Sequence, residues 1–201
     1  VPDENTGFIE KALAAEDLLH GAVEPAHQLS GGSVLGNFTQ KVLVARCWPQ
    51  LKKTRPQRKC YIVGRGATSA IRDLARRDPQ IVVTGEVRDI RPYLARARVS
   101  ICPVRIGSGF RAKILEAMAS GVPVVSTSLG AEGIPSGSGE TLLLADTPGQ
   151  MLKCIRLLLT DASLCAAMAA KARELVINRF APENGRAALN RVIGDVVAGR
   201  D

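Results

Sequence analysis

The feature that most constrains the fold of this chain is a series of short, continuously apolar runs, each followed by a helical pattern. Such runs predict strands at 58–64, 80–85, 98–103, 122–126 and 140–145. Helices are predicted at 39–54, 67–77, 89–97, 110–120, 147–160, 161–179 and 182–198. Strands that are apolar on both faces and alternate with helices are typical of a parallel sheet covered on both sides. We therefore predict an α/β fold of that kind.

The first 36 residues carry little pattern. A short helix is predicted over 8–19, the stretch 27–36 is rich in Gly and Ser, as loops and linkers are, and a weak strand signal lies near Val34. We predict an N-terminal segment or linker over 1–36 and one domain over 37–201, closed by C-terminal helices. Asp89 is the expected N-cap of the helix at 89–97.

Composition excludes several classes of protein. The five cysteines form no CxxC pair and are expected to be buried thiols in a reducing cytosol. No metal site is expected, because the two histidines, His20 and His27, lie outside the patterned region. The first residues lack the basic and apolar parts of a signal peptide, and no apolar run approaches the roughly 20 residues of a membrane span. A cytoplasmic chain, with surface contact to a membrane left open, is predicted.

The chain is basic, with a formal net charge of +8 and an isoelectric point near 9.6. The cations look scattered along the sequence and do not interleave with aromatic residues, so a nucleic-acid partner is not expected. A basic cleft for a diphosphate and a basic face near anionic lipid explain the charge equally well.

The loop that follows the strand at 98–103 is the most informative segment. Gly107, Ser108 and Gly109 form a turn that leads directly into the helix at 110–120. The first amides of a helix lack internal partners and lie at the positive end of its dipole, so this helix start can bind a phosphate. Glycines at 107 and 109 would let a ligand approach the backbone closely.

Charged residues surround this helix start. Arg105, Arg111 and Lys113 could neutralise a diphosphate. On a helical wheel Lys113, Glu116 and Ser120 share a face opposite the apolar residues, which leaves the Glu116 carboxylate free to accept ligand hydroxyls. The alternative is a capped surface helix in which Lys113 and Glu116 form an ordinary i,i+3 pair.

The segment G-F-R-A-K-I-L-E-A-M-A-S-G-V-P-V-V-S-T at 109–127, with G-A-E-G at 130–133, resembles the donor-site signature of glycosyltransferase family 4 (glycosyl transferases group 1). The stretches Y-I-V-G-R at 61–65, V-V-T-G at 82–85 and V-R-D-I-R-P-Y-L at 87–94 also match that family. The likeness runs from about Trp48 to Phe180.

The resemblance implies a Rossmann-like domain, the C-terminal half of a GT-B fold, that binds a nucleoside diphosphate sugar. Glu116 would match the second glutamate of the family's E-x7-E element, which holds the donor ribose, and the backbone of 85–88 would line the base. Transfer would retain the anomeric configuration, without a metal or another cofactor. The implied donor-binding residues are Gly64, Arg65, Val87, Arg105, Gly107, Ser108, Gly109, Arg111, Lys113 and Glu116.

Three departures from the family pattern leave alternatives open. Ser108 stands where the first glutamate of E-x7-E is expected. The family's Arg and Lys phosphate ligands have no match in 30–41, and Arg105 and Arg111 are expected to replace them. The N-terminal acceptor domain is absent, so this chain is either a fragment or a degenerate copy. A non-catalytic nucleotide-sugar-binding module, or a nucleotide-sugar epimerase or hydrolase of the same architecture, therefore remains possible.

A dinucleotide fingerprint is the remaining candidate motif. Gly64, Gly66 and Ser69 follow a strand and open a helix in a G-x-G-x-x-S pattern, and Glu86 comes about 20 residues later. Because serine replaces the third glycine, NAD binding is a remote alternative. In the favoured interpretation Gly64 and Gly66 shape the floor of the donor cleft.

Overall fold

The computed structural model describes residues 18–22, 43–107, 111–135 and 139–180, together with residues 190, 191 and 193. Within these ranges six parallel strands form one sheet in the order β3-β2-β1-β4-β5-β6. This is the strand order of the doubly wound Rossmann sheet, so the predicted fold class is confirmed. The strands are β1 (Leu18–Ala22), β2 (Lys59–Val63), β3 (Ile81–Gly85), β4 (Ala97–Cys102), β5 (Val124–Ser126) and β6 (Leu143–Leu144).

Helices connect the strands and cover the sheet. A π-helical turn (Leu43–Cys47) continues directly into the first α-helix. Thr68 caps the second helix and Thr147 caps the fifth, where Gln150 completes a capping box. The helices are α1 (Trp48–Thr54), α2 (Ser69–Arg77), α3 (Arg91–Leu94), α4 (Ala112–Ala119), α5 (Pro148–Thr160) and α6 (Ala162–Phe180).

The core has two parts, one on each face of the sheet. On one face Ile62 and Ile101 pack with Trp48, Ile71 and Ile155 from α1, α2 and α5. On the other face Val124 packs against α4 and α6 in a cluster that includes Ile114, Met118 and Ala172. Successive residues of a strand point to opposite faces of the sheet. Because both faces are covered, the strands appear in the sequence as continuous apolar runs.

The largest difference from the sequence prediction concerns β1. The helix predicted over 8–19 is wrong at its end, because Leu18 and Leu19 belong to a strand that pairs with both β2 and β4. Residues 8–17 and Val34 lie outside the described residues. Five residues of the predicted N-terminal segment thus form a strand of the sheet. The domain boundary near residue 37 stays a prediction, because 23–42 are also not described.

Two elements are shorter than predicted. The helix expected over 89–97 has only four residues, because the chain must return to begin β4 at Ala97. Asp89 accepts a hydrogen bond from the Arg91 amide (2.9 Å) but precedes the cap residue, Ile90. The strand expected over 140–145 reduces to β6, which within the described part of the chain pairs with the three-residue β5. The helix predicted over 182–198 lies outside the described residues, except for 190, 191 and 193.

All five cysteines are free thiols. Four of them are buried, as predicted, whereas Cys154 is half-buried. Among the residues that the structure describes, none of the helices combines the length and the apolar character that a membrane crossing requires. Within the same ranges, no three His, Cys, Asp or Glu side chains are grouped so that they could hold a metal ion.

Candidate functional site

The strand order reverses between β1 and β4, and ligands of doubly wound sheets bind outside the carboxyl ends of the strands at this switch point. β4 ends at Cys102, so the loop 103–107 and the start of α4 lie at the switch point. The segment that follows β1 is outside the described residues. The phosphate-binding loop predicted from the sequence is therefore attached to one of the two strands that border the crevice.

Gly107 and Arg111 lie against each other in this loop. Gly107 is exposed and has φ of 125°, a conformation that strongly favours glycine. A Cβ atom on Gly107 would lie 3.0 Å from Nη2 of Arg111. Arg111 is 7% exposed, so this side chain is almost completely enclosed, with its guanidinium beside Gly107. Ser108, Gly109 and Phe110, which complete the turn, lie outside the described residues.

Among the described residues, the amino end of α4 has no side-chain cap of the kind that α2 and α5 have. Thr68 and Thr147 accept hydrogen bonds from backbone amides of α2 and α5, whereas Arg111, at the N-cap of α4, provides none. A helix start of this kind leaves amides at the positive end of the dipole for another acceptor. Lys113, in the first turn of α4, is half-buried and adds a positive charge there.

The face of α4 that a ligand could reach contains fewer residues than the helical wheel predicted. Ile114 and Met118 are buried in the core, and the Glu116 side chain is exposed, as predicted. The expected place of Ser120 on the ligand face is wrong. Its side chain is 8% exposed and its hydroxyl donates to the Glu116 carbonyl oxygen (2.8 Å). Ser120 therefore ends the helix and is not available to a ligand.

Arg105 is held by a contact that the sequence did not predict. Its Nη2 donates to the Asp146 carbonyl oxygen (2.8 Å), and the Asp146 carboxylate accepts from the Ser128 amide (2.8 Å) and hydroxyl (2.7 Å). Asp146 thus joins the loops that follow β4, β5 and β6. The sequence signal that could have identified Asp146 was its position, directly after a predicted strand and directly before Thr147 and Pro148, which begin a helix.

The Asp146 carboxylate is stabilised in its charged form. The Ser128 hydroxyl and amide, with a smaller contribution from the Arg105 charge, hold the pKa of Asp146 below its usual range. At neutral pH the link between the loops after β5 and β6 is therefore a charge-assisted one.

The remaining predicted site residues follow β2 and β3. Gly64 has φ of 121° and its amide donates to the Gly85 carbonyl oxygen (2.9 Å), while Val87 is half-buried. Arg65 is exposed and forms an ion pair with Glu86 (Nε to Oε1, 3.4 Å). Strand spacing puts the ends of β2 and β3 at about 10 and 15 Å from that of β4. The structure thus places these residues along the same edge, but not in contact with the α4 start.

The geometry argues against the dinucleotide fingerprint. That fingerprint belongs to the first strand–helix turn, whereas Gly64 and Gly66 follow β2, away from the switch point. Thr68 caps the helix that follows, accepting from the Ile71 amide (3.4 Å). Glu86, the expected ribose ligand, is paired with Arg65.

The G-A-E-G segment after β5 begins with a tightly packed glycine. A Cβ atom on Gly130 would lie 2.5 Å from Ser126 Oγ and 3.0 Å from both the Cys102 carbonyl oxygen and Thr127 Oγ1. Gly130 is therefore required by packing between the ends of β4 and β5, whatever the ligand.

The sequence profile of the family described as glycosyl transferases group 1 matches residues 32–161, more than half of the chain. The chain belongs to the glycosyl transferases group 1 family. Its assignment to family 4 in particular stays a prediction. No curated protein sequence matches the chain.

Solved structures of the same architecture agree with this assignment. The chain superposes on the C-terminal domain of the glycosyl transferase group 1 family protein LpcC from Francisella tularensis, with a TM-score of 0.63, 18% identity and coverage of 90% of this chain and 95% of that one. Anabaena HepE, solved with UDP and glucose, superposes with a TM-score of 0.63 and 18% identity, covering 98% of this chain and 52% of that one. A glycosyltransferase from Rickettsia africae superposes with a TM-score of 0.71 and 16% identity, covering 98% of this chain and 52% of that one.

These likenesses identify the fold as that of the C-terminal half of a GT-B glycosyltransferase. The chain spans about half the length of the HepE and Rickettsia proteins, and nearly all of the isolated LpcC domain.

Proposed function

We propose that the chain is the donor-binding domain of a glycosyltransferase and that the start of α4 binds the diphosphate of a nucleoside diphosphate sugar. The observation that carries the proposal is the α4 start itself. It lies at the switch point, its N-cap residue Arg111 makes no side-chain cap, and Gly107 and Lys113 lie beside it. Preorganised amides and cations of this kind stabilise the charge that grows on a leaving diphosphate.

Two residues have separate roles in this proposal. Lys113 contacts the diphosphate, because it lies in the first turn of α4, where the dipole favours an anion. Glu116 lies one turn further along the same helix and its exposed carboxylate accepts hydrogen bonds from the ribose hydroxyls. Gly64, Arg65 and Val87, which lie further along the sheet edge, border the base.

The finer features of the reaction follow from the family resemblance and are part of the proposal. Transfer retains the anomeric configuration, and Arg111 and Lys113 supply the positive charge for the diphosphate, so neither a metal ion nor another cofactor is needed. An N-terminal acceptor domain contributes the acceptor site, and the protein acts in the cytoplasm. Anomeric assignment of the product by NMR tests retention, and an unchanged rate in EDTA tests metal independence.

The roles of Lys113 and Glu116 can be separated by titration with UDP and with uridine, chosen because neighbouring structures contain UDP. Lys113→Ala should weaken UDP binding by about 10- to 100-fold, as expected for a lost charged hydrogen bond, and leave uridine binding unchanged. Glu116→Ala should weaken binding of both ligands, because both contain the ribose. Calorimetry serves for UDP and ligand-observed NMR for uridine.

Exposed residues on other helices provide the controls. Lys153→Ala on α5 and Glu174→Ala on α6 make the same changes in charge away from the switch point and should leave both affinities unchanged. Wild-type affinity in both the Lys113 and the Glu116 variants would contradict the proposal. Failure of wild-type protein to bind UDP would call for a panel of other nucleotides before the site is rejected.

The alternatives kept from the sequence predict different outcomes for the full-length protein. Ser108, in place of a charged glutamate, favours a non-catalytic module, which would bind nucleotide sugars without turnover. An epimerase or a hydrolase would convert the donor without an acceptor, and chromatography of the products detects either reaction.

A further inference from the structure

The turns before β2 and β3 carry a concentrated positive charge. Segments 52–59 and 72–80 contain eight Lys or Arg residues and two Asp residues, a net charge of +6 within 17 residues. Segment 52–59 alone, K-K-T-R-P-Q-R-K, has five cations and no acid. Eight of the 27 Lys and Arg residues of the chain therefore lie in these two segments, a local concentration within the otherwise scattered pattern.

The fold brings these two segments together. The side-chain amide of Gln80 donates to the Pro56 carbonyl oxygen, and the Cys60 amide donates to the Gln80 carbonyl oxygen (2.8 Å). Lys52 Nζ contacts Asp78 Oδ1 (2.8 Å). The turns before β2 and β3 thus form one surface. We name this surface the basic edge and define it by its exposed cations, Lys53, Arg55, Lys59, Arg76 and Arg77.

The two acids of these segments do not neutralise most of the basic edge. Asp78 accepts hydrogen bonds from Trp48 Nε1 (3.0 Å), Lys52 Nζ and the Gln80 amide (3.1 Å), contacts that lower its pKa despite partial desolvation. Asp73 is paired with Arg76 on the same helix. Both carboxylates are therefore engaged locally, and Lys53, Arg55 and Lys59 have no acidic neighbour within their own segment.

We propose that the basic edge docks this domain on an anionic membrane surface. Anionic lipid headgroups attract clusters of Lys and Arg through a field that extends over about a Debye length, without needing defined geometry. Single-stranded nucleic acid is less suitable, because its binding sites combine cations with aromatic stacking platforms. The two segments contain no aromatic residue.

The position of the basic edge leaves the switch point open. Lys59 begins β2 and Val63 ends it, and a strand of five residues spans about 16 Å. The basic edge lies at the amino ends of the strands and α4 begins beyond their carboxyl ends, so a docked domain keeps the α4 start accessible. Docking does not depend on the donor-binding proposal and is measured without nucleotide.

Co-sedimentation of the full chain with vesicles tests the proposal. Wild-type protein should bind phosphatidylglycerol vesicles, should not bind phosphatidylcholine vesicles, and should dissociate as salt increases. The variant Lys53→Gln/Arg55→Gln/Lys59→Gln should partition about 100-fold less, at about fivefold per charge. The control Lys153→Gln/Lys171→Gln/Arg179→Gln removes the same charge from exposed positions on α5 and α6 and should bind like wild type.

Several outcomes would overturn the proposal. These are an absence of binding to anionic vesicles, an equal loss in the two triple variants, and displacement from vesicles by inorganic phosphate at matched ionic strength. Tighter binding of a single-stranded RNA oligomer, lost in the basic-edge variant, would assign the surface to nucleic acid instead. Fluorescence of Trp48, the one tryptophan of the chain, verifies that each variant is folded.

Discussion

Replacing Gly130 by Ala should destabilise the fold through a clash that its neighbours cannot relieve. The new methyl group would lie 2.5 Å from Ser126 Oγ, and that hydroxyl already contacts the Cys102 carbonyl oxygen (3.2 Å) and the Thr127 carbonyl oxygen (3.0 Å). Thr127 Oγ1, at 3.0 Å from the methyl group, accepts from the Gly130 amide and donates to the Val104 carbonyl oxygen. Any movement therefore breaks hydrogen bonds that hold the loops after β4 and β5.

The expected magnitude combines two effects. Overpacking costs about 1–3 kcal/mol and each lost hydrogen bond about 0.5–1.5 kcal/mol, so the free energy of unfolding should fall by about 2–4 kcal/mol. For a chain of this length, such a loss lowers Tm by about 4–16 °C. Urea unfolding, followed by the fluorescence of the buried Trp48, measures the change.

Matched variants make the result interpretable. Gly149→Ala, in α5, has no atom within 4 Å of the new methyl group and should stabilise the protein by about 0.5–1 kcal/mol. Adding Ser126→Ala to Gly130→Ala removes the atom that clashes most, so the double variant should lose less stability than the two single losses combined. Wild-type stability in Gly130→Ala would refute the packing argument. If that variant also lost donor binding, Gly130 would be assigned to ligand contact.

Two further predictions concern the loops around the switch point. Gly107→Ala should weaken nucleotide binding about tenfold or more by displacing the Arg111 guanidinium, a loss of the size expected for one charged hydrogen bond. Gly121→Ala, where φ is also positive (69°) but no atom is near, should strain the backbone without this loss, and calorimetry compares the two. Asp146→Asn should lower stability at neutral pH. Because the pKa of Asp146 is lower in the folded protein than in the unfolded chain, its carboxylate stabilises the fold at pH values above the unfolded pKa of about 3.9. That stabilisation is lost as pH falls through the pKa of the folded protein. Urea titrations across pH 3–7 should show that the difference in free energy of unfolding between wild type and Asp146→Asn becomes smaller in acid, and Ser128→Ala should reduce this difference. A difference that does not change with pH would show that Asp146 acts through geometry and not through its charge.

The fold was largely predictable because its strands are buried on both faces. Cys60, Ile62 and Ile101 are almost completely buried, and their apolar runs stand out against the polar helix surfaces. β1 was not predictable for the opposite reason. Residues 11–19 are rich in Ala and Leu, which favour a helix locally. Pairing with β2 on one side and β4 on the other is what makes Leu18–Ala22 a strand, and the local sequence does not contain that information.

The candidate site was predictable where it depends on one segment and not where it depends on several. Gly107, Arg111 and Lys113 belong to one loop and helix start, so their proximity follows from the sequence. The contact of Arg105 with Asp146 joins residues 41 positions apart, and its partner could be found only from the fold. The same reasoning applies to Ser120, whose hydroxyl turns back to its own helix.

The distribution of charge bears on the two explanations that the sequence left open, a basic diphosphate cleft or a basic face near lipid. At the switch point the cations Arg105, Arg111 and Lys113 lie near the carboxylate of Glu116, and these four residues have a net charge of +2. The net +6 of segments 52–59 and 72–80 lies at the other end of the strands, about 16 Å away. Over that distance physiological salt, with a Debye length of about 8 Å, screens most of the field that the basic edge would exert on a nucleotide. A diphosphate cleft therefore accounts for only part of the basic isoelectric point, and the charge of the basic edge favours a second, anionic partner there.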